Sequence, residues 1–240
     1  MGCSTEPKDF NHNYMDLKKQ AAQKAATLVE DNTIVGLGAG STIAFLVEFL
    51  EKSIEDGLDI EFVTSSFSTL QLLQKKSLPV STTASFKAID IYFDGCDQLD
   101  KQLNALKSGG GIHTHEKLLA SMAKQFVLIG DVAKLVERFD TKYPLVLEIL
   151  PQAVQFVPFK IEQVFPAATT SMRTNDKKDG PVITENANYL VDVYFKQWPQ
   201  LSSLNQILKS VSGIVETSLF YRIANKGVIA GEKGVVVLEK

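Results

Sequence analysis

The stretch "TIVGLGAGSTIAFLVEFLEKSIE" (33–55) constrains the fold more than any other. A short apolar run gives way to a glycine-rich turn, and then to a longer run whose apolar positions recur at helical spacing. The first reads as a buried strand (33–38) and the second as a helix (41–55). The unit recurs along the chain. "DIEFVTSS" (59–66) predicts a strand and "FSTLQLLQKK" (67–76) a helix, while "AIDIYFD" (88–94) predicts a strand ending at an acid. "THEKLLASMAKQ" (114–125) reads as helical and "FVLIGD" (126–131) as a strand. Ahead of them, Leu17, Ala21, Ala25 and Leu28 mark a helix between Tyr14 and Val29. Strands alternating with helices imply an α/β fold, a Rossmann-like parallel sheet flanked by helices.

The pattern changes after about residue 143. "YPLVLEIL" (143–150), "TTSMRT" (169–174) and "NYLVDVYF" (188–195) are strand-like, helical candidates lie between them and at 200–210, and "NDKKDGP" (175–181) reads as a turn or loop. This predicts a smaller inserted α+β domain over 143–213 and an α/β catalytic domain over 1–142 and 214–240. "GIVETSLF" (213–220) and "GVVVLEK" (234–240) are expected to return to the main sheet.

Net charge is −3 with interspersed lysines and acids and no basic block, which argues against a nucleic-acid partner. Cys3 and Cys96 make no disulfide framework, so a reducing cytoplasm is expected. No apolar run reaches the ~18–20 residues of a membrane span. "MGCSTEPK" has Gly2 but carries Glu6 where a myristoylation motif wants Ser or Thr, and reads as a disordered start.

Three stretches carry chemistry. "VGLGAGST" (35–42) follows a strand and opens a helix. Glycines there let the backbone approach a ligand, and a helix start offers unpaired N–H groups that suit phosphate. Ser41 and Thr42 add hydroxyls; the alternative is a tight turn with one of them as N-cap. The third glycine of a dinucleotide fingerprint is missing, as is the lysine of a P-loop, so a small phosphorylated metabolite is favoured over a nucleotide. "SSFST" (65–69) either borders the same crevice or caps the next helix.

The richest stretch is "DGCDQLDKQLNALKSGGGIHTHEK" (94–117). Asp94 ends a strand, on the ligand-binding edge of such sheets, and Asp97 can point into the same space. Lys107 before Gly109–Gly111 puts a cation beside exposed amides, an arrangement that stabilises a developing oxyanion. Glu116 is a carboxylate near a helix start, suited to moving a proton on carbon next to a carbonyl. His113 and His115 with the two aspartates could ligate a metal, but the run they sit in reads as helical, which separates their rings. No metal is expected. His12 lies in the N-terminal segment.

In this order, "VGLGAGST", "TSSFST", "YFDGCDQLD", "LKSGGGIHTHEKLLA", "IGDVAKLV", "PLVLEILP", "GPVITENANYLVDV" and "SGIVETSLF" resemble ribose 5-phosphate isomerase of type A, over about residues 16–240. The resemblance implies an enzyme of pentose phosphate metabolism that interconverts ribose 5-phosphate and ribulose 5-phosphate without a metal or other cofactor. It places Glu116 on the base that moves a proton between C2 and C1 through an enediolate. Asp94 falls on the position that handles hydroxyl protons and ring opening, and Asp97 on its companion acid. Lys107, Ser108, Gly109 and Gly110 fall on the enediolate-stabilising and substrate-binding segment, beside Gly95 and Cys96. Ala39, Gly40, Ser41 and Thr42 fall on the phosphate turn, and Lys18 and Lys134 on basic residues that face the phosphate. It further implies a homodimer or homotetramer, a sugar phosphate as the ligand, and no membrane or nucleic-acid partner.

The chain departs from the family's pattern at Ala39 (threonine expected), Ser108 (glycine), Gln98 (glutamate) and His115 (arginine). Three other readings are a sugar-phosphate sensor without turnover, an isomerase of another phosphorylated aldose, and a transferase or deaminase on a related fold. A sensor has no use for Asp94, Lys107 and Glu116 together, and the catalytic set of a transferase or deaminase should not coincide with this one.

Overall fold

The computed structural model describes residues 8–176 and 178–240, with the side chains of 8–15 and 178 left aside. The N-terminal start, Cys3 and the His12 side chain lie outside the described residues. In chain order, α1 (Lys8–Ala26) is followed by β1 (Thr33–Leu37), α2 (Ser41–Glu55), β2 (Ile60–Thr64), α3 (Phe67–Lys75) and β3 (Ile89–Asp94). Next come β4 (Gln98–Asp100), β5 (Ala105–Leu106), α4 (His113–Met122), β6 (Ala123–Asp131), β7 (Leu135–Val136) and β8 (Leu145–Ile149). Then follow α5 (Phe156–Val164), β9 (Ala168–Met172), β10 (Thr174–Asn175), β11 (Lys178–Pro181) and β12 (Tyr189–Phe195). The chain closes with α6 (Leu201–Ser210), β13 (Ile214–Thr217), β14 (Leu219–Phe220), β15 (Lys226–Gly231) and β16 (Gly234–Glu239).

These elements form two compact units. The first comprises 1–95, 123–135 and 225–240, and the second 96–122 and 136–224. The first is built on a six-stranded sheet in the order β16-β15-β6-β3-β1-β2, parallel except for β16. Its strands share one continuous apolar face, with the side chains of neighbouring strands in register. Val35, Leu37, Phe62, Phe93 and Val127 are fully buried. The α2 stripe Ile43, Leu46, Val47 and Leu50 covers them at helical spacing. Ala21, Ala22 and Ala25 of α1 are also fully buried. Such small side chains allow α1 to pack closely against α2, β6 and β15.

The second unit holds a four-stranded antiparallel sheet, β13-β8-β12-β9. Its core gathers Leu145, Leu147, Val191 and Val193 from the strands with Val157, Ile161, Leu204 and Leu208 from α5 and α6. A smaller set of strands, β14, β5 and β4, pairs antiparallel beside them.

The division differs from the sequence reading, which ended the main domain at 142 and resumed it at 214. Residues 96–122, 136–142 and 214–224 belong to the second unit. The cause is strand pairing. "GIVETSLF" does not return to the main sheet: Glu216 and Thr217 pair with β8, and Leu219 and Phe220 pair with β5. The returning strand is β15, which pairs parallel with β6 before β16 closes the edge. α4 packs on β13 and is part of the second unit. "NDKKDGP" contains a short hairpin, β10 with β11.

Candidate active site

In the first unit, the turn after β1 is built around Asp94. This carboxylate is fully buried at the end of β3. Oδ2 accepts from the Tyr92 hydroxyl at 2.6 Å, and Oδ1 accepts from Gly95 N at 2.7 Å and Ala39 N at 3.3 Å. A buried carboxylate needs such donors to stay in place. Gly38 makes the approach feasible: a Cβ there would lie 1.9 Å from Asp94 Oδ1. The turn is tied further by Gly38 N to Phe93 O at 2.8 Å and by Thr69 Oγ1 to Gly38 O at 2.7 Å.

Gly40 sits at φ 105°, the left-handed region that glycine tolerates best, and is the N-cap of α2 without a side-chain cap. Ser41 is therefore the first helical residue and not the cap. The N–H groups of Ser41, Thr42 and Ile43 have no acceptor within the helix, which makes this end a place for an anion. Lys18 reaches over from α1, its Nζ donating to Ser41 Oγ at 3.2 Å. Lys134 lies just after β6, its stem 3.5 Å from the position a Cβ on Gly130 would take. In "SSFST", Ser66 caps α3 by accepting from Thr69 N at 3.2 Å. Ser65 Oγ meets the Tyr92 hydroxyl at 3.3 Å, so this motif also supports the Asp94 network.

In the second unit, Lys107 and Glu116 are brought together. Their side chains are 8% and 7% exposed, and Lys107 Nζ lies 3.2 Å from Glu116 Oε1. Glu116 sits in the first turn of α4. Lys107 N donates to Ser218 O at 3.0 Å, and its ammonium stands 5.7 Å from the centre of the Phe220 ring. Half-buried Asp97 accepts from Ser108 N at Oδ2 (2.5 Å), while Ser108 Oγ donates to Pro144 O at 2.6 Å. Cys96, like Gly95, is half-buried.

Several partners escaped the sequence reading. Lys117 is buried on α4 next to Glu116, its ammonium on Glu216 Oε1 at 2.7 Å and 5.0 Å from the Phe220 ring centre. Burial pulls its pKa down to about 8 against the upward pull of Glu216. Glu148 on β8 is buried as well. Burial pushes it up, but hydrogen bonds from Thr114, Asn188, Asn186 and Thr184 together hold it below the usual glutamate value. Arg173 and Asp192 form an ion pair with bonds to the glycine loop. Nothing local signals these contacts beyond Glu148 and Asp192 standing in otherwise apolar strands.

The histidines diverge as expected for a helix. His113 is buried with Nε2 3.3 Å from Glu216 O, and His115 Nε2 meets Asn186 Oδ1 at 2.9 Å. Among the described residues, no three His, Cys, Asp or Glu side chains are grouped to hold a metal ion.

These features define a class: a Rossmann-like α/β protein whose first unit nests an aspartate on a glycine turn and whose second unit buries a lysine–glutamate pair. Comparison with known proteins narrows it. Residues 61–234 match the family described as ribose 5-phosphate isomerase A (phosphoriboisomerase A). A ribose-5-phosphate isomerase A of Methanothermobacter thermautotrophicus is 34% identical over 226 residues, covering 94% of this chain and 98% of that protein. The solved ribose 5-phosphate isomerase A of Methanocaldococcus jannaschii superposes with TM-score 0.86 at 33% identity, over 94% of this chain and 99% of the other. A D-ribose-5-phosphate isomerase solved in complex with phospho-erythronic acid gives TM-score 0.89 at 32% identity, over 95% and 100%. The chain belongs to the ribose 5-phosphate isomerase A family.

Proposed function

We propose that this protein interconverts ribose 5-phosphate and ribulose 5-phosphate by proton transfer through an enediolate, with Glu116 as the base. The observation that carries the reading is the buried Lys107–Glu116 pair, 3.2 Å apart, in a chain of this family. The open-chain aldose has a carbonyl at C1 and a hydroxyl at C2. Glu116 takes the proton from C2 as the carbonyl pair moves onto O1; a proton then passes from O2 to O1, the O2 pair closes the C2 carbonyl, and Glu116 returns its proton to C1. One carboxylate serves both carbons because they are adjacent. In the resting chain the Lys107 ammonium neutralises Glu116; as charge grows on substrate oxygen, the same ammonium serves that oxygen. Asp94 and Asp97 handle the hydroxyl protons and ring opening.

The turn Ala39–Thr42, with Lys18 and Lys134, binds the phosphate. Phosphate is remote from the reacting carbons, so its binding energy orients them. The altered side chains at Ala39 and Ser108 act on affinity more than on chemistry. The protein works without a metal, as a homodimer or homotetramer, in the cytoplasm; family likeness supports this assembly. Among the described residues no helix is long and apolar enough to cross a membrane.

One assay tests the reading. Exhaustively chelated protein is given ribose 5-phosphate beside other pentose and hexose phosphates. Turnover greatest on ribose 5-phosphate is expected. Absence of turnover, or activity restored only by a stoichiometric metal, refutes it; preference for another aldose phosphate moves the substrate.

A further inference from the structure

Arg173 leaves the end of β9 with its backbone N–H on Leu190 O of β12, at 2.8 Å. Asp192 is two residues further along β12, hence on the same side of that strand as Leu190. Its carboxylate takes Nε of Arg173 at 3.0 Å and Nη2 at 2.5 Å. The pair is mostly buried, 17% and 14% exposed. A pair that served only to tie two strands would end there. This one continues: Nη1 donates to Gly109 O and Nη2 to Ser108 O, both at 2.9 Å. The guanidinium thus reaches across 64 residues of sequence to grip two consecutive carbonyls of the glycine loop.

The consequence follows from peptide geometry. In a trans peptide the carbonyl oxygen of one residue and the N–H of the next point in opposite directions. The Ser108–Gly109 and Gly109–Gly110 peptides both turn their oxygens to Arg173. Their N–H groups, those of Gly109 and Gly110, therefore face the other way. Successive N–H groups turned to one side form a concavity that attracts negative charge. Just before it, the chain is pinned by Ser108 N on Asp97 at 2.5 Å and Lys107 N on Ser218 O at 3.0 Å.

We propose that Arg173, oriented by Asp192, is a positioning residue that sets the Gly109 and Gly110 amides as a donor pair for the charge that builds on substrate oxygen. The inference rests on the isomerase reading above. Lysine cannot do the same work, because one ammonium cannot present a rigid fork to a carboxylate and two carbonyls.

Steady-state kinetics on ribose 5-phosphate, thermal melting and binding of phospho-erythronic acid test it on wild type, Arg173→Lys, Arg173→Ala and Asp192→Asn. Phospho-erythronic acid carries its negative carboxylate on a phosphorylated chain and so probes the donor pair. Loss of one oxyanion donor costs roughly 10²–10³ in kcat; misaligned donors should lose at least about tenfold. Arg173→Lys is expected to lose that much kcat with KM within about threefold, and its affinity for phospho-erythronic acid should fall in step. Added guanidinium should restore part of kcat to Arg173→Ala and none to wild type. If Arg173→Ala does not fold, Arg173→Lys and Asp192→Asn carry the same comparison. Wild-type kcat in folded variants, a lower melting temperature alone, or a loss confined to KM would overturn the role. Inactive wild type would instead sink the isomerase reading.

Discussion

His113 should make this protein lose stability in mild acid, by an amount the structure sets. The ring is 1% exposed, and among the described residues Nδ1 has no hydrogen-bond partner. Burial, and then the nearby Lys117 ammonium, lower its pKa from 6.5 to about 4, against the upward pull of Glu216 and Glu148. The unfolded chain thus takes up a proton near pH 6.5 that the folded chain refuses until about pH 4. Stability is full above the unfolded pKa and falls as pH drops through this window. The slope is ~1.4 kcal/mol per pH unit and the total about 3 kcal/mol. Against a typical stability of roughly 5–15 kcal/mol, that is a large share. Glu148 acts in the same direction but lower, since its own contribution is lost only as pH falls below the ordinary glutamate value of 4.5. The span from about pH 6.5 to 5 therefore isolates His113 at roughly 2 kcal/mol. Denaturant melts across that span should show the loss in wild type, and His113→Leu, which binds no proton, should lack it. Equal slopes in the two proteins, or wild type gaining stability as pH falls, would refute the reasoning.

Three further outcomes are expected. Glu116→Gln keeps shape and removes basicity, so kcat should fall by at least ~10² with KM little changed; near-normal kcat would remove Glu116 from its role. Gly38→Ala puts a methyl 1.9 Å from Asp94 Oδ1. The carboxylate must shift, lowering stability by about 1–3 kcal/mol and cutting kcat, as melts and kinetics would show; an unaffected variant would mean the turn is not tight. Ala39→Thr should lower KM for ribose 5-phosphate a few-fold to about tenfold with kcat unchanged, since a hydrogen bond to a charged group is worth ~1.5–3 kcal/mol and other donors already serve the phosphate. A raised KM would show that the turn has been reshaped around alanine.

The elements legible in the sequence are those whose pattern is local. β1, β2 and β3 are short runs with a buried apolar face and lie close to the runs that predict them. α2 matches the predicted span, because its buried stripe has helical spacing. Errors arise where distant partners decide. "THEKLLASMAKQ" reads as helical to Gln125, yet β6 begins at Ala123, because Ala123 and Gln125 pair with Ile89 and Ile91. β15 carries little apolar signal because half of "KGVIAG" is Gly or Ala. Of the site, the lysine, the acids and the glycine turns are visible as residue types at suggestive spacing. Invisible are the supports: Tyr92 on Asp94, Gly38 as the space for that carboxylate, and Arg173 on the glycine loop. Tyr92 and Asp94 are neighbours on one face of β3, but the other two supports join distant segments, and a lone sequence carries no trace of which of those residues will meet.

The four departures from the family pattern are not equivalent, and their contacts separate them. Ser108 uses its extra hydroxyl on Pro144 O at 2.6 Å. Gln98, 3% exposed, accepts from Asp140 N at 2.8 Å. A glutamate would accept that bond equally well, but would bury a second charge close in sequence to Asp97; the amide avoids that desolvation. His115 has Asn186 at 2.9 Å. These three side chains have found partners within their own chain: reverting Ser108 or His115 to the family residue removes or alters a bond already made, and reverting Gln98 keeps its bond but buries a charge. Ala39 differs: it is bound through its backbone N–H, on Asp94, and its methyl makes no polar contact. A threonine there would add a hydroxyl beside the N–H groups at the start of α2, which have no acceptor within the helix, and would break no polar bond made by the present side chain. With the turn as the proposed phosphate site, affinity for the sugar phosphate is the property this departure bears on, and Ala39→Thr is the substitution that tests it.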